Sequence, residues 1–298
     1  MSYGYDTAVD MSMLSILAAP RTNCHNGAMV ALAAGEFVAY GPSHLSVLAV
    51  FAIGAGALVW IGRRQTEAQA RAFGRCFALV IVAAFLVALA YKLVQFDIQN
   101  SVPLQLCDIA ELIAAVALWF GHQPVDEPEA RGGERAGCNF QRWAFGVTYF
   151  WGLLLSSQAL LTPDIGTARD GAPDFPHHLF LTFFTLHVLV VWAAIYLTWG
   201  RRMRPRWSDF RLAVYLALAW VAVTLGFNSL AGTNYGYLNG KPPTASALDL
   251  LGPWPLYVVA EIAIVILVWA AMTWPWERAA RLRSPHRGSG SRPDRARS

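Results

Sequence analysis

Long apolar segments alternate with short polar ones along most of this chain. Seven of the apolar segments are about 20 residues long, and Trp and Tyr stand near many of their ends, as is typical at a membrane interface. A helix of that length can cross a bilayer because it satisfies its own backbone hydrogen bonds away from water. The pattern predicts an all-α fold, a polytopic membrane bundle of seven transmembrane helices near residues 44–61, 77–98, 104–120, 140–161, 178–199, 212–230 and 254–274.

The composition excludes an ordinary soluble domain, since 56% of the residues are hydrophobic and only 14% are charged. Residues 1–35 lack a basic segment followed by a clean apolar core, so we expect a loosely ordered tail there and no cleavable signal peptide. Residues 36–276 form the predicted seven-helix transmembrane domain. Residues 277–298 are rich in Arg, and we expect a disordered cytoplasmic tail.

The distribution of Lys and Arg predicts the orientation of the bundle. Of the 23 basic residues, 19 lie around the first, third and fifth loops and in the C-terminal tail. If the N-terminus lies outside and the C-terminus in the cytoplasm, all 19 lie on the cytoplasmic side, as the positive-inside rule favours. We therefore predict a multi-pass protein of the plasma membrane with this orientation. This topology also accounts for the net charge of +4. Since no recognition module is present, we predict no nucleic-acid partner.

Polar residues within the predicted helices concentrate near the outer ends, while the inner halves are nearly all apolar. An ionisable group in a bilayer costs about 2.5–3.5 kcal/mol on insertion scales, so it usually faces a partner or a water-filled cavity. We therefore expect a polar cavity that opens to the outer side. The candidate residues in or around it are His44, Lys92, Gln95, Gln105, Cys107, Asp108, Glu111, Gln158, His187, Asn228, Asn234, Tyr257 and Glu261.

Within this set, Cys107 and His187 are the candidate catalytic pair. A thiol is a weak nucleophile until a base removes its proton, and a histidine within hydrogen-bond reach is the usual base. Asp108, Glu111 and Glu261 are each candidates to orient the imidazole, and the sequence does not choose among them. Helical spacing places Cys107 and Glu111 on one face of their helix, because they are four residues apart.

The same residues also have structural interpretations. A buried cysteine is most often a small hydrophobe, and a histidine in a membrane bundle is commonly an interhelical hydrogen-bond donor. Lys92 could form a structural ion pair with Glu111 or Glu261. His44 lies at the start of the first helix, where an interfacial or capping role competes with a place in the cavity.

The sequence predicts no metal site and no cofactor. No HxxxH or HExxH pair supplies two ligands from one helical face. The four cysteines contain no CxxC, and the predicted topology places Cys76 and Cys138 toward the cytoplasm, away from Cys24 and Cys107. A disulfide framework is therefore not expected, and a bond between Cys24 and Cys107 is the option left on the outer side.

The segment AGTNYGYLNGKPPTASALDLLGPWP, residues 231–255, is a long connection rich in Gly, Pro, Asn and Tyr. One interpretation is a lid that folds over the cavity, because loops of this length often have a function. The other is a plain connection between two helices, in which Gly and Pro set the turns.

A set of motifs carries a family resemblance over roughly residues 36–276. They are GPSHL, PLQLCDIAEL, YFWGLLLSSQALLTPDI, FFTLH, GTNYGYL, KPP and LDLLGPWPLY, in that order. The chain resembles the YwaF family of bacterial integral membrane proteins and, more distantly, is similar to vertebrate transmembrane protein 164. The loops 121–139 and 167–178 are longer than the pattern of the bacterial family, and both lie away from the central motifs.

The resemblance implies a membrane protein related to a phospholipid acyltransferase that works through a cysteine acyl intermediate and a histidine. By motif, these roles fall on Cys107 and His187. The favoured function is an integral membrane lipid acyltransferase or lipid-ester hydrolase, with membrane lipids as acyl donor and acceptor. The alternative is a transporter or small-molecule receptor that binds a polar solute in the same cavity. Nothing in the sequence identifies a protein partner.

Overall fold

A computed structural model of the protein describes residues 35–94, 96–120, 135–165, 172–242 and 247–283. These residues form a helical bundle without any described strand, apart from an isolated antiparallel bridge between Glu36 and Pro173. The prediction of an all-α fold is confirmed for the described part of the chain. Its helices are α1 (Pro42–Arg64), α2 (Glu67–Val94), α3 (Leu106–Phe120), α4 (135–161), α5 (His178–Gly200), α6 (Trp207–Ala231) and α7 (Leu256–Arg283).

Two of these helices contain wider turns, and two short helical turns lie in the connection between α6 and α7. The middle of α4, Thr148–Ser156, is π-helical, and so is the last turn of α5. The short turns are 3₁₀-helical and comprise Tyr235–Tyr237 and Ala247–Leu251.

Six of the described helices are long and apolar enough to cross a membrane: α1, α2, α4, α5, α6 and α7. The sequence predicted seven. The difference is α3, which has 15 residues. It is therefore only about 22 Å long, whereas the hydrocarbon core is about 30 Å thick. The protein is a multi-pass helical membrane bundle, and α3 is a shorter helix within it.

Contacts between helix ends show that neighbours along the chain run antiparallel. On one face, which we call the cap face, α1, α3, α5 and α7 begin and α2, α4 and α6 end. There the His44 ring Nε2 donates to the carbonyl of Leu160, 2.8 Å away, which joins the start of α1 to the end of α4. The rings of Tyr91 and His178 stack 4.6 Å apart and join α2 to α5.

The opposite face, which we call the arginine face, is held by ion pairs. Arg201, just after α5, pairs with Glu67 at the start of α2. Arg142 in α4 pairs with Asp209 in the first turn of α6. Both pairs join helix ends that carry the basic residues used to predict the orientation.

Two central helices, α4 and α5, carry most of the buried core. In each, 61% of the most apolar 18-residue window is buried, against 11% for α1 and for α6. The outside of the bundle exposes large apolar side chains such as Ile53, Leu79, Val87 and Leu267. A soluble protein rarely presents so extended an apolar surface, whereas lipid is a suitable solvent for it.

A close approach between α1 and α5 depends on a glycine. The Trp192 indole of α5 lies over Gly54 and donates a hydrogen bond of 2.9 Å to the carbonyl of Phe51. A methyl group at Gly54 would come within 2.0 Å of that indole. Nothing lies within 4 Å of the equivalent position at Gly56.

We expect Gly54→Ala to destabilise the bundle by about 1–3 kcal/mol, the usual effect of overpacking, since Trp192 cannot move aside without losing its hydrogen bond. Gly56→Ala is the matched control and should be neutral or slightly stabilising, because alanine favours helix more than glycine does. Thermal unfolding in detergent measures both variants. Equal midpoints for the two would contradict the close approach.

Candidate active site

A cavity of about 280 Å³ lies between α3, α4 and α5 on one side and α6 and α7 on the other. Cys107, His187 and Glu261 all contribute to its lining, and they come from three different helices. Gln105 lines it beside the start of α3. The structure thus brings together four of the thirteen residues that the sequence put forward. Their chemical role stays a prediction.

Cys107 is the second residue of α3, and a group of polar contacts determines where this helix begins. Asp108 stands in the first turn and forms an ion pair with Lys92 of α2, with an oxygen-to-nitrogen distance of 3.0 Å. Its second oxygen accepts a hydrogen bond of 3.3 Å from the backbone N–H of Gln105. A carboxylate at a helix start also satisfies free N–H groups and interacts well with the helix dipole. These contacts hold the thiol in place.

His187 is buried in α5, and its own backbone orients the ring. Nδ1 lies 2.7 Å from the carbonyl oxygen of Phe183. Because a carbonyl oxygen only accepts, Nδ1 carries the proton, and in the neutral ring Nε2 is left with a free lone pair. Within the described residues, neither nitrogen is hydrogen-bonded to the Cys107 sulfur. The ring therefore has its proton-accepting nitrogen available on the helix that faces the thiol.

The ion pair of Lys92 differs from the one that the sequence suggested. Lys92 pairs with Asp108, and not with Glu111 or Glu261. Glu111 is only 2% exposed and does not belong to the lining of the cavity. One of its carboxyl oxygens is buried without a hydrogen-bond partner among the described residues. Glu111 thus lies behind Cys107, near the Lys92–Asp108 pair.

On α7 the cavity is lined by a stripe at helical spacing, which includes Glu261. The stripe consists of Val258, Glu261, Ile262, Val265, Ile266 and Trp269. Tyr257, four residues before Glu261, was a candidate for the cavity. Instead it lies outside the lining, and its hydroxyl donates to the carbonyl of Tyr237. No described residue donates a hydrogen bond to the Glu261 carboxylate, which is partly buried.

Residues 232–240, which we call the cap, close the cavity on the cap face. Gly236 and Leu238 line the cavity directly. The backbone N–H of Gly236 donates to the Gln105 side-chain oxygen at 3.2 Å, so the cap is tied to the start of α3. The connection between α6 and α7 therefore forms part of the cavity wall.

Tyr235 anchors the cap to the connection between α2 and α3. Its hydroxyl donates to the carbonyl of Ile98 at 2.7 Å and accepts from the backbone N–H of Val102 at 2.9 Å. Burial raises the pKa of Tyr235, which keeps the hydroxyl protonated and able to donate. The ring is fully buried, so both bonds are formed away from water.

The two asparagines of the predicted set shape the cap. The Asn228 amide donates to the carbonyl of Tyr235 at 3.0 Å and accepts from Tyr235 N–H at 2.9 Å and from the Thr233 hydroxyl at 2.8 Å. Asn234 makes a similar set of bonds with the backbone of Asn239 and Gly240. Their polar groups are used within the fold, and neither residue lines the cavity.

Two other predicted residues, His44 and Gln158, are not in the cavity lining. His44 is fully buried at the start of α1, where Nδ1 accepts from the N–H of Tyr40 at 2.9 Å and Nε2 donates to Leu160. These bonds join the start of α1 to Tyr40 and to the end of α4. Gln158 is exposed near the end of α4. Gln95 lies outside the described residues.

Within the described residues, no group of three or more His, Cys, Asp or Glu side chains could hold a metal ion. Cys107 and Cys76 are free thiols. Cys24, the partner considered for a disulfide with Cys107, lies outside the described residues.

Sequence reasoning missed the aromatic part of the cavity wall, which consists of Trp151, Trp220 and Trp269. Tryptophan in a membrane helix is usually assigned to the interface, which hid their role. The spacing of the α7 stripe was a usable signal, because Trp269 follows Glu261 by eight residues and so falls on the same face.

Comparisons with known proteins give one match. A model described as the TMEM164 family matches residues 39–273, which is more than half of the chain and includes every residue of the cavity lining. Neither a curated protein nor a solved structure matches the chain.

We expect Tyr235→Phe to destabilise the protein by about 1–3 kcal/mol, because it leaves the buried polar groups of Ile98 and Val102 without their partner. It should also speed the reaction of Cys107 with a water-soluble maleimide, since the cap loses its anchor. Tyr215→Phe, in which the ring is 66% exposed, is the control. If both variants have the unfolding midpoint and the Cys107 labelling rate of the wild type, the cap is not held by Tyr235.

Proposed function

The chain belongs to the TMEM164 family, and from that premise we propose that it is an intramembrane lipid acyltransferase or lipid-ester hydrolase in which Cys107 is the nucleophile and His187 the base. The observation that carries the proposal is the shared cavity. A thiol and an imidazole with a free ring nitrogen line the same enclosed space inside a bundle of membrane helices. Membrane lipids are the proposed acyl donor and acceptor.

The reaction would proceed through a thioester. His187 Nε2 takes the thiol proton as the Cys107 sulfur attacks the carbonyl carbon of a lipid ester, so that a C–S bond forms and the ester C–O bond breaks. The released lipid alkoxide takes that proton from His187. An acceptor hydroxyl, from a second lipid or from water, then attacks the thioester. A new C–O bond forms, the C–S bond breaks and the thiol regains its proton.

The charges around Cys107 favour a mechanism in which the thiol loses its proton as it attacks the ester. They do not favour a thiolate that exists before the substrate binds. Asp108 follows Cys107 directly in α3 and pairs with Lys92. Because Lys92 is already paired with Asp108, its positive charge is largely offset. A base that removes the proton as the C–S bond forms is therefore needed, and His187 is the one that the cavity supplies.

Gln105 is the best placed donor for the oxyanion. Its side-chain oxygen accepts from Gly236, while its amide nitrogen has no acceptor among the described residues. Three other cavity candidates with N–H donors are engaged elsewhere, since Asn228 and Asn234 bond the cap and Lys92 bonds Asp108. A donor fixed by the cap in a water-poor site is effective because it needs no reorganisation during the reaction.

The topology is also part of the proposal. We place the arginine face in the cytoplasm and the cap face outside, with the N-terminus outside, the C-terminus inside and α3 counted as the seventh crossing, in the plasma membrane. The antiparallel order of the helices and the basic residues on the arginine face support this. A relation to the bacterial YwaF family is proposed on the motifs alone.

The transporter or receptor alternative has less support. A polar solute would be bound by ionisable cavity candidates such as Lys92, Glu111, His187 and Glu261. Only His187 and Glu261 contribute to the lining, and Lys92 is engaged by Asp108. A polar solute would therefore find few free charges there.

A thiol-reactive lipid-ester analogue should label the wild-type protein on Cys107. Cys107→Ala should abolish the labelling, and His187→Ala should slow it by about 10²–10⁴-fold, the usual contribution of a general base. Mass spectrometry of the labelled peptides measures both. Cys76→Ala is the matched control, because Cys76 is a free but exposed thiol.

Labelling that persists in Cys107→Ala on another residue would reject the nucleophile. Labelling of Cys107 that is unaffected by His187→Ala would reject the base and leave the thiol. Thermal unfolding of each variant shows whether a loss of labelling reflects loss of the fold.

The proposed orientation predicts that a single new cysteine in the C-terminal tail reacts with an impermeant maleimide only after intact cells are opened. A new cysteine in place of Lys241, beside the cap, should react from outside. The reverse pattern of labelling would show that the protein has the opposite orientation.

A further inference from the structure

We propose that the cavity below Cys107 is an acyl-chain tunnel, and that the indoles of Trp151 and Trp269 form its closed end and set the length of the chain that it accepts. The inference rests on the proposed function, because it places the acyl group of the thioester in this tunnel. It concerns the apolar part of the cavity, away from the thiol of Cys107 and the other polar side chains.

The cavity is polar at one end and apolar at the other. Gln105, Cys107 and Glu261 lie toward the cap face. From Glu261 the α7 stripe continues to Trp269, eight residues further, which is about 12 Å along a helix. The side chains of that stripe beyond Glu261 are all apolar.

A second apolar stripe, on α6, faces the first. It consists of Val214, Ala217, Leu218 and Val221, at the spacing of one helix face. Ala110 of α3 and Leu155 of α4 complete the wall on the other side. These residues give the part of the cavity beyond the thiol apolar walls, which suit a hydrocarbon chain.

Aromatic packing closes the tunnel at its far end. Trp151 and Trp269 are almost fully buried, and the Trp269 ring lies 5.5 Å from that of Phe150, centroid to centroid. Just beyond, the Trp276 indole N–H donates to the Tyr149 hydroxyl at 3.1 Å, which joins α7 to α4. A chain that enters from Cys107 therefore meets the two indoles and cannot pass between α4 and α7.

An acyl chain is the occupant that these features favour. A thioester on Cys107 would hold its carbonyl carbon at the polar end, beside Gln105, and its methylene groups would extend along the two apolar stripes. Beyond Glu261, the α6 and α7 stripes offer a polar solute no partner except the indole N–H of Trp269, which, like that of Trp151, is buried without a hydrogen-bond partner among the described residues. The fixed end makes the tunnel selective, because one methylene more or less in a tight apolar pocket changes discrimination by about tenfold or more.

The first test uses a fatty acid with a photoreactive diazirine at its methyl end, added to the purified full-length protein in detergent. Crosslinks should map to peptides that contain Trp151, Val214 or Trp269, and they should persist in Cys107→Ala, since binding does not need the thiol. Crosslinks confined to the lipid-exposed outer surface would overturn the tunnel. If crosslinks appear at the closed end but no acyl group is found on Cys107, the proposed function fails and the tunnel stands.

The second test measures acyl-Cys107 formation from phosphatidylcholines with short, medium and long saturated chains. Trp269→Phe and Trp269→Leu should raise the ratio of long-chain to short-chain transfer by about tenfold relative to the wild type. Trp274→Phe is the matched control, because Trp274 lies on the same helix, is 55% exposed and is not part of the lining. An unchanged ratio in folded, active Trp269 variants would overturn the role of the indole.

Discussion

The ion pair between Lys92 and Asp108 fixes the helix start on which the candidate site depends. In a low-dielectric bundle each of these charges would be costly alone, and together they join the end of α2 to the first turn of α3. The link between the two helices adds to this, since the Ser101 hydroxyl donates to the carbonyl of Lys92 at 2.8 Å. The position of Cys107 follows from these contacts, because it lies one residue before Asp108.

The polar groups of the cap face divide into two sets. Those of His44, Asn228, Asn234 and Tyr235 are used in hydrogen bonds that hold helix ends and the cap together. Several groups of the lining residues have free capacity, among them the Cys107 thiol, His187 Nε2, the Gln105 amide nitrogen, the Glu261 carboxylate and the indole N–H groups of Trp151 and Trp269. Since an unsatisfied polar group is expensive in such surroundings, this second set is where a ligand is expected.

Hydropathy located the helices but not all of their ends. The sequence predicted the second helix from residue 77, whereas α2 begins at Glu67, because a polar first turn outside the membrane is as helical as the apolar part that follows it. The same reasoning collected the polar residues at one side but could not separate structural from chemical ones. Asn228 and Cys107 both look like polar exceptions in apolar helices, and only their hydrogen-bond partners distinguish them. The three tryptophans of the cavity wall were missed because the sequence of a single helix does not show which of its residues are buried against other helices.

The π-helical stretch of α4 affects how this helix tolerates insertion and deletion. A π turn accommodates one extra residue, and a single residue turns an α-helix by about 100°. Trp151 and Leu155 lie within the stretch and Ala159 lies after it, and all three face the cavity. Losing one residue inside the π-helical stretch would convert a π turn to an α turn, so the helical segments on either side would keep their relative orientation. The same loss in an α-helical part of α4 would rotate one side of the helix by about 100° and move its lining residues off the cavity wall.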